Sequence, residues 1–263
     1  MDQQLAVTKG LSGFEDQLLA LEADTAAHSG HLRDARDLTR RAMDSAQQAG
    51  DKDTPAMYLA TSGLREAWFG NSLEAHRLAG LAMRRPSNRD LLYFVALASA
   101  YSGEDARAQA LVGDLDKQFP EDTLVQFNFL PTLRAKLALN KGKAAEAIDT
   151  LRVAAKYELG TSTNSPPNWT AMYPVYVRGE AYLAAHQGRE AAAEFQKILD
   201  HPGLVLNQPI GALARLGVAR ARLLQGDTSQ AGTAYRDFFA LWKDADPDIP
   251  VLNQAKAEYA KLQ

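Results

Sequence analysis

Histidine, serine and acidic side chains are the groups in this chain that could do chemistry, and their spacing is the first thing to weigh. His28 and His31 flank one turn, close enough in sequence for a metal pair, but no carboxylate or third histidine is arranged with them, and a structural zinc needs four ligands. His76, His186 and His201 stand alone in sequence. No serine sits in a G-x-S-x-G elbow, and cysteine is absent, which removes thiolate nucleophiles, disulfides and cysteine-ligated metals. The run Asn168-Trp169-Thr170 matches a glycosylation sequon by letters alone. These residues imply no catalytic centre, no metal and no cofactor.

The elements that would have to position any site are helices. The text is alanine-rich, cut by short glycine turns, and nearly devoid of alternating β-branched runs. Six times a small residue is followed twelve positions later by alanine across a turn: Ala23 and Ala35, Gly63 and Ala75, Ala96 and Ala108, Ala135 and Ala147, Gly179 and Ala191, Ala219 and Ala231. The turns between them are Gly30-His31, Gly70-Asn71, Gly103-Glu104, Gly142-Lys143, Gln187-Gly188 and Gly226-Asp227. Successive first members lie 40, 33, 39, 44 and 40 residues apart, near the 34-residue period of tetratricopeptide repeats with loop insertions. Small residues on both partners let two antiparallel helices cross closely. The expected fold is therefore all-α: a tetratricopeptide-like, right-handed superhelix over 1–263. Its six helix pairs are expected at roughly 15–46, 54–84, 88–118, 123–156, 171–200 and 209–242, followed by a capping helix over roughly 248–262.

Prolines punctuate this division. Pro55, Pro209 and Pro247 mark helix starts, with Thr54 and Asp246 as caps before two of them, and Pro120 stops a helix. Pro131 should kink or split the first helix of the fourth pair. The stretch Glu158 to Thr170 reads as the longest loop. The opening residues read as the tail of an earlier helix and a loop at Lys9 to Gly13, as in a piece of a longer protein.

The run Tyr173-Pro174-Val175-Tyr176-Val177-Arg178-Gly179-Glu180-Ala181-Tyr182-Leu183-Ala184-Ala185 resembles the C-terminal tetratricopeptide region of bacterial eukaryote-like serine/threonine protein kinases. So do Phe195 to His201, Leu241 to Pro250 and, near the start, Gly13 to Asp24. The resemblance spans essentially the whole chain and implies a parent with a kinase domain upstream, often with a membrane span. Some similar regions instead follow a winged-helix DNA-binding domain. The chain itself has no glycine-rich phosphate loop, no His-Arg-Asp and no Asp-Phe-Gly, so it carries no kinase.

In such superhelices the first helix of each pair lines the concave groove. Counting from the small residues places Met57, Asp90, Tyr93, Phe129, Lys136, Tyr173, Tyr176, Glu180 and Arg220 there, a set suited to an extended or helical peptide. Two readings of the tyrosines stand: anchors for a ligand, or packing between repeats. Ala20, Asp24, Ala60 and Leu64 occupy positions where chaperone-tail binders present Lys and Asn, which disfavours a carboxylate clamp. The partner class is a protein or peptide, with self-association of the chain as a further expectation. A net charge of −3, from 29 basic and 32 acidic residues, offers no polycationic face for nucleic acid, and no window is apolar enough for membrane insertion.

Overall fold

Glycine turns and alanine crossings build the molecule. The computed structural model describes residues 14–84, 88–160 and 170–262. The expected loop at Lys9 to Gly13, most of the Glu158–Thr170 loop and the first two sequon residues lie outside these. Among the described residues all regular structure is helical. The helices are α1 (Glu15–His28), α2 (Leu32–Gln48), α3 (Thr54–Phe69), α4 (Ser72–Ala82), α5 (Arg89–Tyr101), α6 (Asp105–Gln118), α7 (Leu130–Asn140), α8 (Ala144–Thr150), α9 (Tyr173–Ala184), α10 (Gly188–Asp200), a single turn α11 (Pro202–Val205), α12 (Pro209–Leu224), α13 (Thr228–Leu241) and α14 (Pro250–Ala260). They pack in neighbouring pairs: α1 on α2, α3 on α4, α5 on α6, α7 on α8, α9 on α10 and α12 on α13.

The small residues sit where the helices meet. Each of the ten alanines of the six sequence pairs is at most 1% exposed, and a methyl group added at Gly63 would lie 3.4 Å from the Ala75 carbonyl oxygen. Ala96→Leu should therefore overpack a closed crossing and destabilise the fold by about 1–3 kcal/mol, whereas Ala106→Leu, on the exposed side of α6, should shift the melting temperature little. Equal melting curves would show the crossing to be elsewhere.

Five of the predicted turns close on glycines with positive φ, at Gly30, Gly70, Gly103, Gly142 and Gly226. The turn at Gln187-Gly188 is built differently. His186 takes the left-handed conformation at φ 57°, and Gly188 opens α10, where a Cβ would stand 2.7 Å from the Ala221 carbonyl oxygen. Glycine is needed there for close approach to α12 rather than for the turn.

Proline behaviour also departs from expectation in places. Pro55 and Pro209 begin helices, but Thr54 lies inside α3, and its N–H is capped instead by the Asp51 carboxylate at 3.0 Å. Pro250, not Pro247, begins α14. Asp246 is diverted: its N–H donates to the Gly30 carbonyl oxygen and its carboxylate accepts from the Arg33 N–H. Ahead of Pro131 the backbone takes a π-helical turn at Val125–Phe129, which widens the helix and lets it run on into α7 without the missing proline N–H.

The first helices of the second and third pairs are buried on nearly every side. On α3 fourteen residues are buried, and on α5 every residue from Leu91 to Ala100, while α4 buries one stripe, Ala75, Leu78, Ala79 and Ala82. The run of pairs curls until the sixth meets the first, α12 packing on α1. The seam is polar. Gln208 donates to Asp24 at 2.7 Å and accepts from the Tyr173 hydroxyl at 3.1 Å, and the Trp242 indole N–H donates to the His28 carbonyl oxygen at 2.9 Å. Asp24 in turn accepts from Arg65, which also donates to Thr39 and Ser62. Helix α14 then leans on the end of α3 at Gly70, burying Leu252 and Ala255.

Candidate functional site

The nine groove candidates divide into three groups. Met57, Tyr93, Phe129, Tyr173 and Tyr176 are all at most 9% exposed and pack into the interior. Tyr93 stacks on Phe129 with centroids 3.8 Å apart and rings 3° from parallel, and Tyr173 and Tyr176 lie against Trp68 of α3 at 5.3 and 6.4 Å. The closed curl brings aromatic rings of α3 and α5 against α9, so these side chains form packed interior where they were expected to line an open groove. Asp90 pairs with Arg89 at 2.8 Å near the start of α5, and Arg89 bridges on to Asp122. It is apart from the others.

Lys136, Glu180 and Arg220 form the third group, and these keep partly open side chains, at 15%, 26% and 28% exposure. Each follows the small crossing residue of its helix by one position, and α9 packs on both α7 and α12. Tyr101, the last residue of α5, donates its hydroxyl to Glu180 at 2.7 Å. The Lys136 ammonium stands 3.9 Å from the same carboxylate and 4.2 Å above the Tyr101 ring. Arg220 makes a two-pronged bond to Glu258 of α14 at 2.9 and 3.0 Å, and the Tyr235 hydroxyl donates to Glu258 at 2.9 Å. Tyr176, edge-on to Trp68, lies within the electrostatic reach of both Glu180 and Arg220.

The charge on this surface is balanced. Burial, reinforced by Glu180, holds the Tyr101 hydroxyl far above its ordinary range, and burial does the same for Tyr176. Both remain protonated at neutral pH, and the Tyr101 hydroxyl serves as a donor to Glu180 rather than as a nucleophile. Burial works against the Arg220 charge, but Glu258 more than offsets it and keeps the guanidinium pKa raised. Such a surface can recognise: it offers aromatic area, two cations and two carboxylates on side chains already held in place.

No family model, curated protein or solved structure matches the chain. The functional reading therefore rests on geometry.

Trp68, Tyr101 and Glu258 were not among the residues singled out from sequence. Tyr101 closes α5 one turn beyond Leu97, where only the convergence of α5 with α9 gives its hydroxyl the Glu180 acceptor. Glu258 falls off the apolar stripe of α14 and reads as solvent-facing. Its partner Arg220 is 38 residues earlier, and no local period links the two.

Proposed function

We propose that the chain is a protein- or peptide-binding scaffold, without catalysis of its own, that recognises its partner at the surface formed by Tyr101, Lys136, Glu180, Arg220 and Glu258. In this reading the helix pairs are tetratricopeptide-like repeats of a right-handed superhelix capped by α14. The chain would serve as the C-terminal regulatory region of a bacterial serine/threonine protein kinase. The observation that carries the binding surface is the placement of two partly open ion pairs, Lys136–Glu180 and Arg220–Glu258, both within reach of the buried Tyr176 ring. The helix pairing and the buried small-residue crossings support the repeat reading.

The test joins affinity to stability. A partner captured on the immobilised chain is titrated against the parent and Lys136→Glu, with melting curves for both. Reversing Lys136 should weaken binding about tenfold or more and flatten its salt dependence, while the melting temperature moves by only a few degrees. Unchanged affinity with the fold intact would place the binding surface elsewhere.

A further inference from the structure

A second surface, at the far end of the chain, has the features of a docking cleft. Between α13 and α14 lies a cleft of about 340 Å³ walled by Phe239, Trp242, Ala245, Leu252, Tyr259 and Ala260. Two charged side chains border it, Lys243 beyond the end of α13 and Lys256 on α14, and both are lysines, although the chain as a whole is net negative. Lys243 lies 3.7 Å from Asp244, but both are more than 70% exposed, a pairing too solvated to neutralise the rim.

The floor is rigid. Trp242, 3% exposed, is wedged between Phe69 and Phe238 with centroids 5.1 and 4.9 Å away, and its indole N–H is tied to the His28 carbonyl oxygen. Phe239 and Tyr259 meet edge to face at 5.6 Å and stay half-buried, leaving aromatic area turned outward. Helix α14 buries only Leu252 and Ala255, so it props the cleft open rather than filling it. An apolar floor with cations confined to the rim suits one kind of occupant.

We propose that this cleft docks an acidic segment of a partner protein, seating one aromatic or aliphatic side chain on the Trp242–Phe239–Tyr259 floor while flanking Asp or Glu carboxylates reach Lys243 and Lys256. The volume, near the lower end for ligand sites, holds an anchor side chain or two but not a folded domain. The long ammonium stems let carboxylates pair outside the apolar floor, where they keep much of their hydration. The cleft shares no lining residue with the surface of Tyr101, Lys136, Glu180, Arg220 and Glu258, although Glu258 adjoins Tyr259 on α14. Lys136→Glu tests that surface without touching the cleft, so failure here would leave the preceding proposal standing.

The probe is a fluorescein-labelled nine-residue peptide with a central Phe-Leu flanked by Asp and Glu, titrated by anisotropy against the full chain. Two companions have the same centre flanked by Lys, and the same acids around Ala-Ala. The acidic Phe-Leu peptide should bind about tenfold or more tighter than either companion. Lys243→Glu/Lys256→Glu should weaken it by at least about tenfold and turn the preference toward the Lys-flanked peptide. The charge-matched control Lys117→Glu/Lys156→Glu, exposed on other helical segments, should leave it unchanged. Because all four lysines are exposed, melting curves should coincide. Equal binding by the rim-reversed variant, absence of saturable binding by the acidic Phe-Leu peptide, or binding of the Ala-Ala peptide with equal affinity would each overturn the proposal. So would sedimentation of the chain as a dimer that Tyr259→Ala dissociates, which would assign the cleft to a second copy.

Discussion

Arg65→Leu is expected to lower stability by about 3–5 kcal/mol at pH 8, and by clearly less at pH 5. Arg65 is 3% exposed and lies 3.2 Å from the Asp24 carboxylate. Removing one partner of a buried pair leaves the other charge without compensation, which is far costlier than replacing both. The Arg65 donors to Thr39 and Ser62 vanish too, so two buried hydroxyl oxygens lose partners. For a chain of this length the loss corresponds to a fall in melting temperature on the order of 10 °C.

The pH dependence follows from Asp24. Burial raises its carboxyl pKa to about 6 even though Arg65 and Gln208 pull it down. Taking Arg65 away removes the strongest opposing influence, so the folded-state value moves higher still. In the unfolded chain an aspartate titrates near 4. The folded chain thus holds a proton where the unfolded one has lost it, and stability falls as pH rises from about 4 through the folded value. In the parent this site's decline ends near pH 6, whereas in Arg65→Leu it continues higher. The gap between the two is therefore narrowest near pH 4–5 and widest above neutrality. Urea melts of both at pH 5 and pH 8 measure it, and a pH-independent gap would mean that Asp24 does not depend on Arg65. The double variant Asp24→Leu/Arg65→Leu should recover much of the loss, because no charge is then stranded.

That pair marks the limit of what the sequence discloses. The crossings were legible because only hydrogen or methyl fits where two helices touch, and that restriction repeats along the chain: Ala96 and Ala108, or Ala135 and Ala147, are buried as their spacing implies. The helical character of the described residues was legible for the same reason. The curl was not. It is held by contacts such as Gln208 to Asp24 and Trp242 to His28, 184 and 214 residues apart in sequence, about which a local period says nothing. Without the curl, Tyr93, Tyr173 and Tyr176 read equally well as groove or core, since an aromatic side chain suits either. Lys136, Glu180 and Arg220 keep partly open side chains, but their partners Tyr101 and Glu258 come from helices that only the closed arrangement brings in. Pro247 misled in the same way: Asp246, its apparent cap, is bound to Gly30 and Arg33.

Phe195→Ala should cost about 3–5 kcal/mol, and in its background the effect of Gly217→Ala should change sign. Phe195 of α10 is 1% exposed, and its ring lies between two glycines. A Cβ on Gly179 of α9 would approach its Cε1 and Cζ at 2.8 Å, and a Cβ on Gly217 of α12 would approach its Cγ at 2.6 Å. Gly179 stands in the sequence pattern opposite Ala191, whereas Gly217 has no partner at that spacing and was not singled out. Truncating the ring empties the space between α9, α10 and α12, hence the large loss. In the parent, Gly217→Ala gains about 1 kcal/mol in helix propensity but drives a methyl group into the ring at its attachment carbon, which cannot swing aside, so a net loss of about 1–3 kcal/mol is expected. Gly179→Ala meets the far edge of the ring, which can tilt, and should cost less. Once the ring is gone, the same methyl group at Gly217 lines the cavity and keeps its propensity gain, so Gly217→Ala should become stabilising by up to about 1 kcal/mol. Denaturant midpoints for the four corners of this cycle measure the coupling, and an equal effect of Gly217→Ala in both backgrounds would show that the glycine is not there to admit the ring.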